Sequence, residues 1–305
     1  MPAVETRQCH PMGVPLTVAS ESPELLAAID AGLARYPSMG VGGAMTIEAT
    51  VHAGTADSGW PRVEATDGPD ELTVRIGDSV AVLQYATGDV RMELSVALCS
   101  TPDALRLLAE SVFTAYGVRG GRLHAVHSAL VVHDGIGLVL RGASGAGKST
   151  LTYSCLRAGM GVCSDDWIYA NAQAPAGVFA GYPWRILMTE DAAARFPELA
   201  GAATVPHPAA EGRKIPVFPP AEQQVVSAAA SAVVMLDPSP QLAVRELSAT
   251  EAHERFWAPA LPTERAHLSE AWVAELLARP VFVLQRGTDP VAAVQRLAEL
   301  AASLR

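Results

Sequence analysis

Gly142-Ala143-Ser144-Gly145-Ala146-Gly147-Lys148-Ser149 matches G-x-x-x-x-G-K-[ST] at every fixed position, and Thr150 follows it. The chemistry of this pattern is phosphate binding. Its glycines let the backbone wrap inward so that successive N–H groups point at phosphate oxygens. Lys148 is placed to reach the β- and γ-phosphates, and the Ser149 hydroxyl to sit on Mg²⁺. The alternative is a glycine-rich strand-to-helix turn that binds nothing. The flanks favour phosphate, because residues 136–140 form a short apolar strand pattern and 149–158 can run as a helix until Gly159. The pattern leaves the reaction open, since hydrolases, transporters, switches and kinases all use it.

Asp165-Asp166 closes the next apolar stretch, 160–164. Residues at the carboxyl ends of strands in α/β sheets line the ligand crevice, so both carboxylates are expected to face the phosphates. Phosphoryl transfer to an alcohol needs one carboxylate to accept the hydroxyl proton, and a second can hold Mg²⁺. Adjacent side chains on an extended chain point in different directions, which suits a division of labour. Taken without its neighbours, the pair reads equally as an exposed turn.

Ahead of the loop, residues 129–133 and 136–140 are two β-type runs separated by Asp134-Gly135, a dipeptide favoured in type I′ hairpin turns. If those two residues form the turn, the register sets His127 across from Gly142. An imidazole there can neutralise phosphate charge or tune a carboxylate. It can also be a strand histidine satisfied by backbone hydrogen bonds, as a register slip of one would make it. His124 has a weaker case, and His133 beside the turn is expected to be solvated.

The elements that hold these residues fall into two regions. Residues 1–120 read as an α+β domain: a helix over 22–36, strand patterns at 44–51, 72–76, 80–85 and 90–98, and a helix capped by Thr101 that Gly117 ends. From 121 to 305 apolar strands alternate with amphipathic helices, the signature of an α/β domain. There the pattern predicts strands at 232–236, 242–247 and 281–285. A helix opens on the capping box Ser248-Ala249-Thr250-Glu251, and further helices cover 264–278 and 290–304.

The bulk composition narrows the function classes. Lys and Arg total 22 against 32 Asp and Glu, and a net charge of -10 offers no footprint for gripping nucleic acid. The sequence shows neither a membrane-span pattern nor a signal peptide, so a cytoplasmic location is expected. Cys9, Cys99, Cys155 and Cys163 form no CxxC pair and are read as reduced thiols.

The segment HSALVVHDGIGLVLRGASGAGKST, followed by GMGVCSDD, resembles the catalytic domain of HPr kinase/phosphorylase and its related kinases, which include those acting on ribosomally made peptides such as lasso-peptide precursors. The resemblance implies a P-loop fold related to phosphoenolpyruvate carboxykinase, use of ATP and Mg²⁺, and transfer of the γ-phosphate to a serine hydroxyl of a peptide or protein. It carries over His127, Lys148, Ser149, Asp165 and Asp166. Asp165 would be the base and Asp166 the metal-side carboxylate, with the reverse order left open. It also implies a homo-oligomer. Where the family has a Glu-x-Arg-Gly signature, this chain reads Gly181-Tyr182-Pro183-Trp184-Arg185-Ile186-Leu187, so HPr itself and the reverse phosphorylase reaction are not expected. A small-alcohol kinase and an NTP-dependent switch or ATPase stand as alternatives.

Three further features have weaker claims. Arg185 could neutralise phosphate charge or simply pack on Trp184. Glu211-Gly212-Arg213-Lys214 is either a basic tip that closes over a ligand or a solvated turn. Glu190 and Asp191 look like a helix start.

Overall fold

The structure, a computed structural model, describes residues 3–54, 61–206 and 212–305. It is a mixed α/β protein with several sheets. Its described residues separate into two compact units. One holds those up to Leu123 together with Asn171–Gln173; the other holds the rest.

In the first unit the strands are β1 (Glu5–Cys9), β2 (Leu16–Ser20), β3 (Met45–His52), β4 (Glu64–Asp67), β5 (Glu71–Ile76), β6 (Ser79–Gln84) and β7 (Asp89–Ser95), and the helices are α1 (Pro23–Gly32), α2 (Val96–Cys99) and α3 (Pro102–Arg119). The seven strands form one sheet in the order β1-β2-β3-β7-β6-β5-β4. Met45, Ile47 and Ala49 of β3 are buried and alternate with exposed Thr46, Glu48 and Thr50, the period of a half-buried strand. Helix α1 packs on β1 and β2, and α3 on β5 and β6. Between the helices and the sheet lies an apolar cavity of about 140 Å³ lined by residues such as Val18, Ile29, Ile47 and Phe113.

Several local expectations change here. The strand predicted over 90–98 stops at Ser95, whose side chain accepts the Leu98 N–H and starts α2 instead. Thr101 does not cap α3 with its side chain, which donates to the Ala97 carbonyl. Gly117 does not end α3, which continues to Arg119. A Cβ on Gly117 would lie 2.4 Å from a methyl of Leu123, so its role is close packing. Strands β1, β2 and β4 were not expected from the pattern.

The second unit contains β8 (Leu123–Val126), β9 (Ser128–His133), β10 (Ile136–Arg141), α4 (Lys148–Arg157), β11 (Gly161–Ser164), β12 (Ile168–Asn171), β13 (Val178–Gly181), β14 (Ile186–Thr189), α5 (Glu190–Ala193), β15 (Val205–Pro206), β16 (Arg213–Val217), β17 (Ser227–Asp237), β18 (Leu242–Glu246), α6 (Ala249–Trp257), α7 (Pro262–His267), α8 (Glu270–Leu276), β19 (Val281–Arg286) and α9 (Pro290–Ser303), apart from the ends of β8 and β12 that fall in the first. Its main sheet runs β11-β9-β10-β17-β13-β12-β8, with β19 and β18 branching from β17. β17 can serve two neighbours on one side because it is long. Its start pairs antiparallel with β13, and Val233–Asp237 pairs parallel with β19. Gly137 lets β10 come close to the start of β17, since a Cβ there would meet the Ala229 carbonyl oxygen at 2.1 Å.

This sheet is buried on both faces, so its central strands are apolar throughout. Leu138 and Leu140 face Leu151 and Cys155 of α4 and Leu297 and Leu300 of α9. Val139 points the other way, into a cluster with Phe256 of α6 and Trp272 and Val273 of α8. The predicted helix over 264–278 is two helices, because Ser269 caps the Trp272 N–H and restarts the chain as α8. Arg213 and Lys214 lie in β16 rather than in a turn, and Glu211 lies outside the described residues. A separate three-stranded sheet, β14-β16-β15, flanks α4 through β14.

Candidate active site

The site is assembled at one end of β10. The β9–β10 hairpin turns on Asp134 and Gly135, both at positive φ as a type I′ turn requires, and pairs Ile136 with His133 through to Arg141 with Ser128. Extending that register by one step sets His127 opposite Gly142. The glycine-rich loop then bridges β10 and α4. Gly142 has no room for a side chain, since its Cβ would press on that of Ala146 at 2.9 Å. Gly147 takes φ +98 at the helix start, a conformation that side chains resist, and Arg286 of β19 lies against it. Ala143, Ser144 and Gly145 form the exposed rim of the loop.

Lys148 is buried at the first position of α4, and its Nζ donates to the Gly142 carbonyl at 2.9 Å. Burial pushes its pKa down, while the charge of Asp166 works the other way. Ser149 hydrogen-bonds to Asp165. Strand β11 ends at Ser164, and the two aspartates that follow diverge. Asp165 is 7% exposed and also accepts the Leu187 N–H at 3.2 Å. Burial, and then the charge of Asp166, push its carboxyl up to about 6, against the opposing pull of Ser149, Leu187 and Arg185. Asp166 keeps 62% of its side chain exposed and meets His127 Nε2 at 2.9 Å. Partial desolvation raises its pKa, but the hydrogen bond and charge of His127, with Lys148 and Lys214, outweigh this and hold it below the usual carboxylate value. Two neighbouring carboxylates thus have their pKa values driven apart by their surroundings.

The structure therefore brings together His127, the loop from Gly142 to Thr150, Asp165 and Asp166. Arg185 and Lys214 are close enough for their charges to act on Asp165 and Asp166 respectively. His127 also stacks near Trp167, with ring centroids 5.2 Å apart. The other histidines stand elsewhere: His124 packs on Trp272, where burial lowers its pKa, and His133 lies beside the hairpin turn. Thr189 caps the helix that Glu190 and Asp191 start.

Sequence reading missed the residues behind His127. Arg141, the last residue of β10, and Glu264 of α7 form an ion pair at 2.8 Å, with side chains 1% and 0% exposed. Nothing in the spacing marks them, because they are separated by more than a hundred residues and Glu264 stands in an ordinary helix start. Arg286 was missed for the same reason.

The residues fit a nucleotide triphosphate with Mg²⁺. The exposed glycine-rich rim at a helix start suits phosphate oxygens. Among the described residues no group of three or more His, Cys, Asp or Glu forms a metal cage. A hydroxyl and one or two carboxylates are instead the donor set of a Mg²⁺ ion that takes its remaining ligands from phosphates and water.

No protein-family profile matches the chain, and no curated protein matches it. Among solved structures it is similar to the HPr(Ser) kinase/phosphatase from Coxiella burnetii, at 13% identity over 59% of this chain and 98% of that one, with a TM-score of 0.29. So low a TM-score carries no argument, and what this site can do follows from its own geometry.

Proposed function

We propose that this chain is an ATP- and Mg²⁺-dependent kinase of HPr-kinase-like type that transfers the γ-phosphoryl group to a serine hydroxyl of a peptide or protein. The observation that carries this reading is the divergence of the two carboxylates beside a phosphate-binding loop. Asp165 is pushed up to about 6, and Asp166 is held ionised by His127 and Lys148. P-loop switches also hold Mg²⁺ on a carboxylate but orient water with an amide, whereas transfer to an alcohol uses a carboxylate to accept the hydroxyl proton, the part that Asp165 fits.

In this reading the bound nucleotide and its metal supply the electrophilic phosphoryl group and neutralise its oxygens. The loop N–H groups and Lys148 bind the phosphates, and Lys148 exchanges its contact with the Gly142 carbonyl for a phosphate oxygen. Ser149 and Asp166 offer oxygen ligands to the metal. Asp165 takes the proton of the attacking serine hydroxyl at a carboxylate oxygen, and a raised pKa makes it the stronger base of the two. His127 keeps Asp166 ionised and in place. Residues 1–120 serve as the module for substrate recognition or assembly.

The test is transfer of label from γ-labelled ATP, with Mg²⁺, into an extract of the source cells, with Asp165→Asn as control. Label in one polypeptide, absent with the variant, is the expected result. Label in a small metabolite would make the acceptor a small alcohol. Label found only as inorganic phosphate would replace the kinase with an ATPase or switch.

A further inference from the structure

His127 occupies a break between β8 and β9, so its backbone N–H has no strand partner in the β9–β10 ladder. That N–H instead donates to Glu264 Oε1 at 3.0 Å. The same oxygen accepts Arg141 Nη1 at 2.8 Å, and the other oxygen accepts the Leu261 N–H at 2.9 Å, which ties the carboxylate to the start of α7. Arg141 is itself held, with Nε on the Phe256 carbonyl at 2.8 Å and its guanidinium over the Phe256 ring at 3.9 Å. Its Nη1 also reaches the His127 carbonyl at 3.5 Å. One buried pair therefore holds both backbone polar groups of the residue whose imidazole meets Asp166.

Stability is a poor explanation for this arrangement. Two fully buried charges cost much of what their attraction returns, and apolar residues of similar size commonly serve as well. Arg141 Nη2 has no hydrogen-bond partner among the described residues, so the pair is not optimised as a stabilising contact. Its geometry is specific in what it does to His127. Glu264 places an acceptor where the chain breaks the strand between β8 and β9 beside the glycine-rich loop, and the imidazole projects from that point.

We infer that Glu264, locked by Arg141, is a positioning residue. Its carboxylate oxygen fixes the His127 backbone so that the imidazole stays on Asp166, and it touches neither nucleotide nor acceptor. This rests on the kinase reading only for its effect on turnover; the placement of the imidazole is independent of it.

Two double variants of the full chain separate acceptor from charge. Arg141→Met with Glu264→Gln removes both charges but keeps a carbonyl oxygen for the His127 N–H. Arg141→Met with Glu264→Leu removes the acceptor as well. The imidazole ¹⁵N signals of His127, assigned with His127→Ala, report its hydrogen bond to Asp166. The Gln variant is expected to keep the wild-type signals, and the Leu variant to shift towards those of Asp166→Asn. Wild-type signals in the folded Leu variant, or equal shifts in both variants, would overturn the inference.

If either variant fails to fold, hydrogen exchange of the His127 amide in the wild type decides. Slow exchange is expected, and exchange at the rate of an exposed amide would sink the idea. In the kinetic arm, the Leu variant should lose about 10²-fold in turnover with the KM for ATP within about twofold. In a His127→Ala background it should lose nothing further, and additive losses would count against action through His127. Absence of phosphoryl transfer in the wild type would remove the kinase reading while the imidazole and exchange readouts still decide this one.

Discussion

Asp165 carries the sharpest prediction at the scale of single residues. A base with a pKa near 6 works only when deprotonated, so the rate should rise with pH through about 6 and level off above it. Asp165→Asn should lower turnover by about 10²-fold or more, with nucleotide binding retained. The same shift has a stability consequence of opposite sense. Because the folded-state pKa lies above the ordinary value of 3.8, the native state binds the proton more tightly, and the associated stability is lost as pH rises through 6. On the order of 3 kcal/mol is at stake. The Asn variant should therefore melt higher than the wild type at pH 8, and the gap should close near pH 4. A variant that melts lower at pH 8 would show that Asp165 ionises without cost, and with it the case for a raised pKa would fall. Gly147→Ala belongs to the same scale. The φ of +98 strains any side chain, and a methyl group would also push the Arg286 side chain back from 3.0 Å, so nucleotide binding measured by calorimetry should weaken.

At the scale of elements, two helix positions test how local physics shaped the fold. Gly32 ends α1 at φ -105, and a Cβ there would meet nothing within 4 Å because it projects towards the apolar cavity. Gly32→Ala should stabilise by about 0.5–1 kcal/mol, by restricting the unfolded chain and covering backbone. A denaturant midpoint that falls would show that the cavity does not admit the methyl. Ser248→Ala removes the hydroxyl half of a capping box on α6, leaving the backbone N–H of that position on Glu251, and should cost about 1 kcal/mol. That box was readable from Ser248 and Glu251 alone, because capping is an interaction within four residues. The break at Ser269 was not readable with the same ease. A serine inside a helical pattern is a cap only if the preceding turn ends, and α7 ends at His267, where Leu268 turns extended and lets Ser269 cap the next helix.

Across the whole molecule, charge and burial govern how the protein meets reagents and partners. A net charge of -10 should leave it unretained on immobilised DNA at low salt. No helix among the described residues is long and apolar enough to cross a membrane. All four cysteines are free and buried. Burial pushes the thiols of Cys9 and Cys155 up to about 12 and raises Cys163 and Cys99 as well. A thiol reagent at pH 8 should therefore find almost no reactive group in the native protein and four after unfolding in guanidinium. Fast native reaction of even one thiol would indicate local opening of the unit that holds it.

What the sequence determined by itself is what short-range physics controls. The glycine-rich loop is contiguous, its glycines mark the positions where backbone must turn or approach closely, and Asp134-Gly135 sets a hairpin register that carries His127 to the loop. The alternating and helical periods placed most helices of the second unit and half of its strands, and left β8, β12, β13, β14, β15 and β16 unread. The tertiary structure decided the rest. It gave adjacent aspartates opposite electrostatic fates, because burial at Ser149 and Leu187 and exposure towards His127 depend on what packs around each. It brought Arg141 to Glu264, and Arg286 to Gly147, across long stretches of chain. It also ordered β1 and β4, whose polar residues hide the strand pattern until neighbouring strands supply hydrogen bonds, and β2, whose alternation of Leu16 and Val18 is short. These outcomes depend on desolvation and long-range contact, and neither leaves a spacing in the chain from which it can be read.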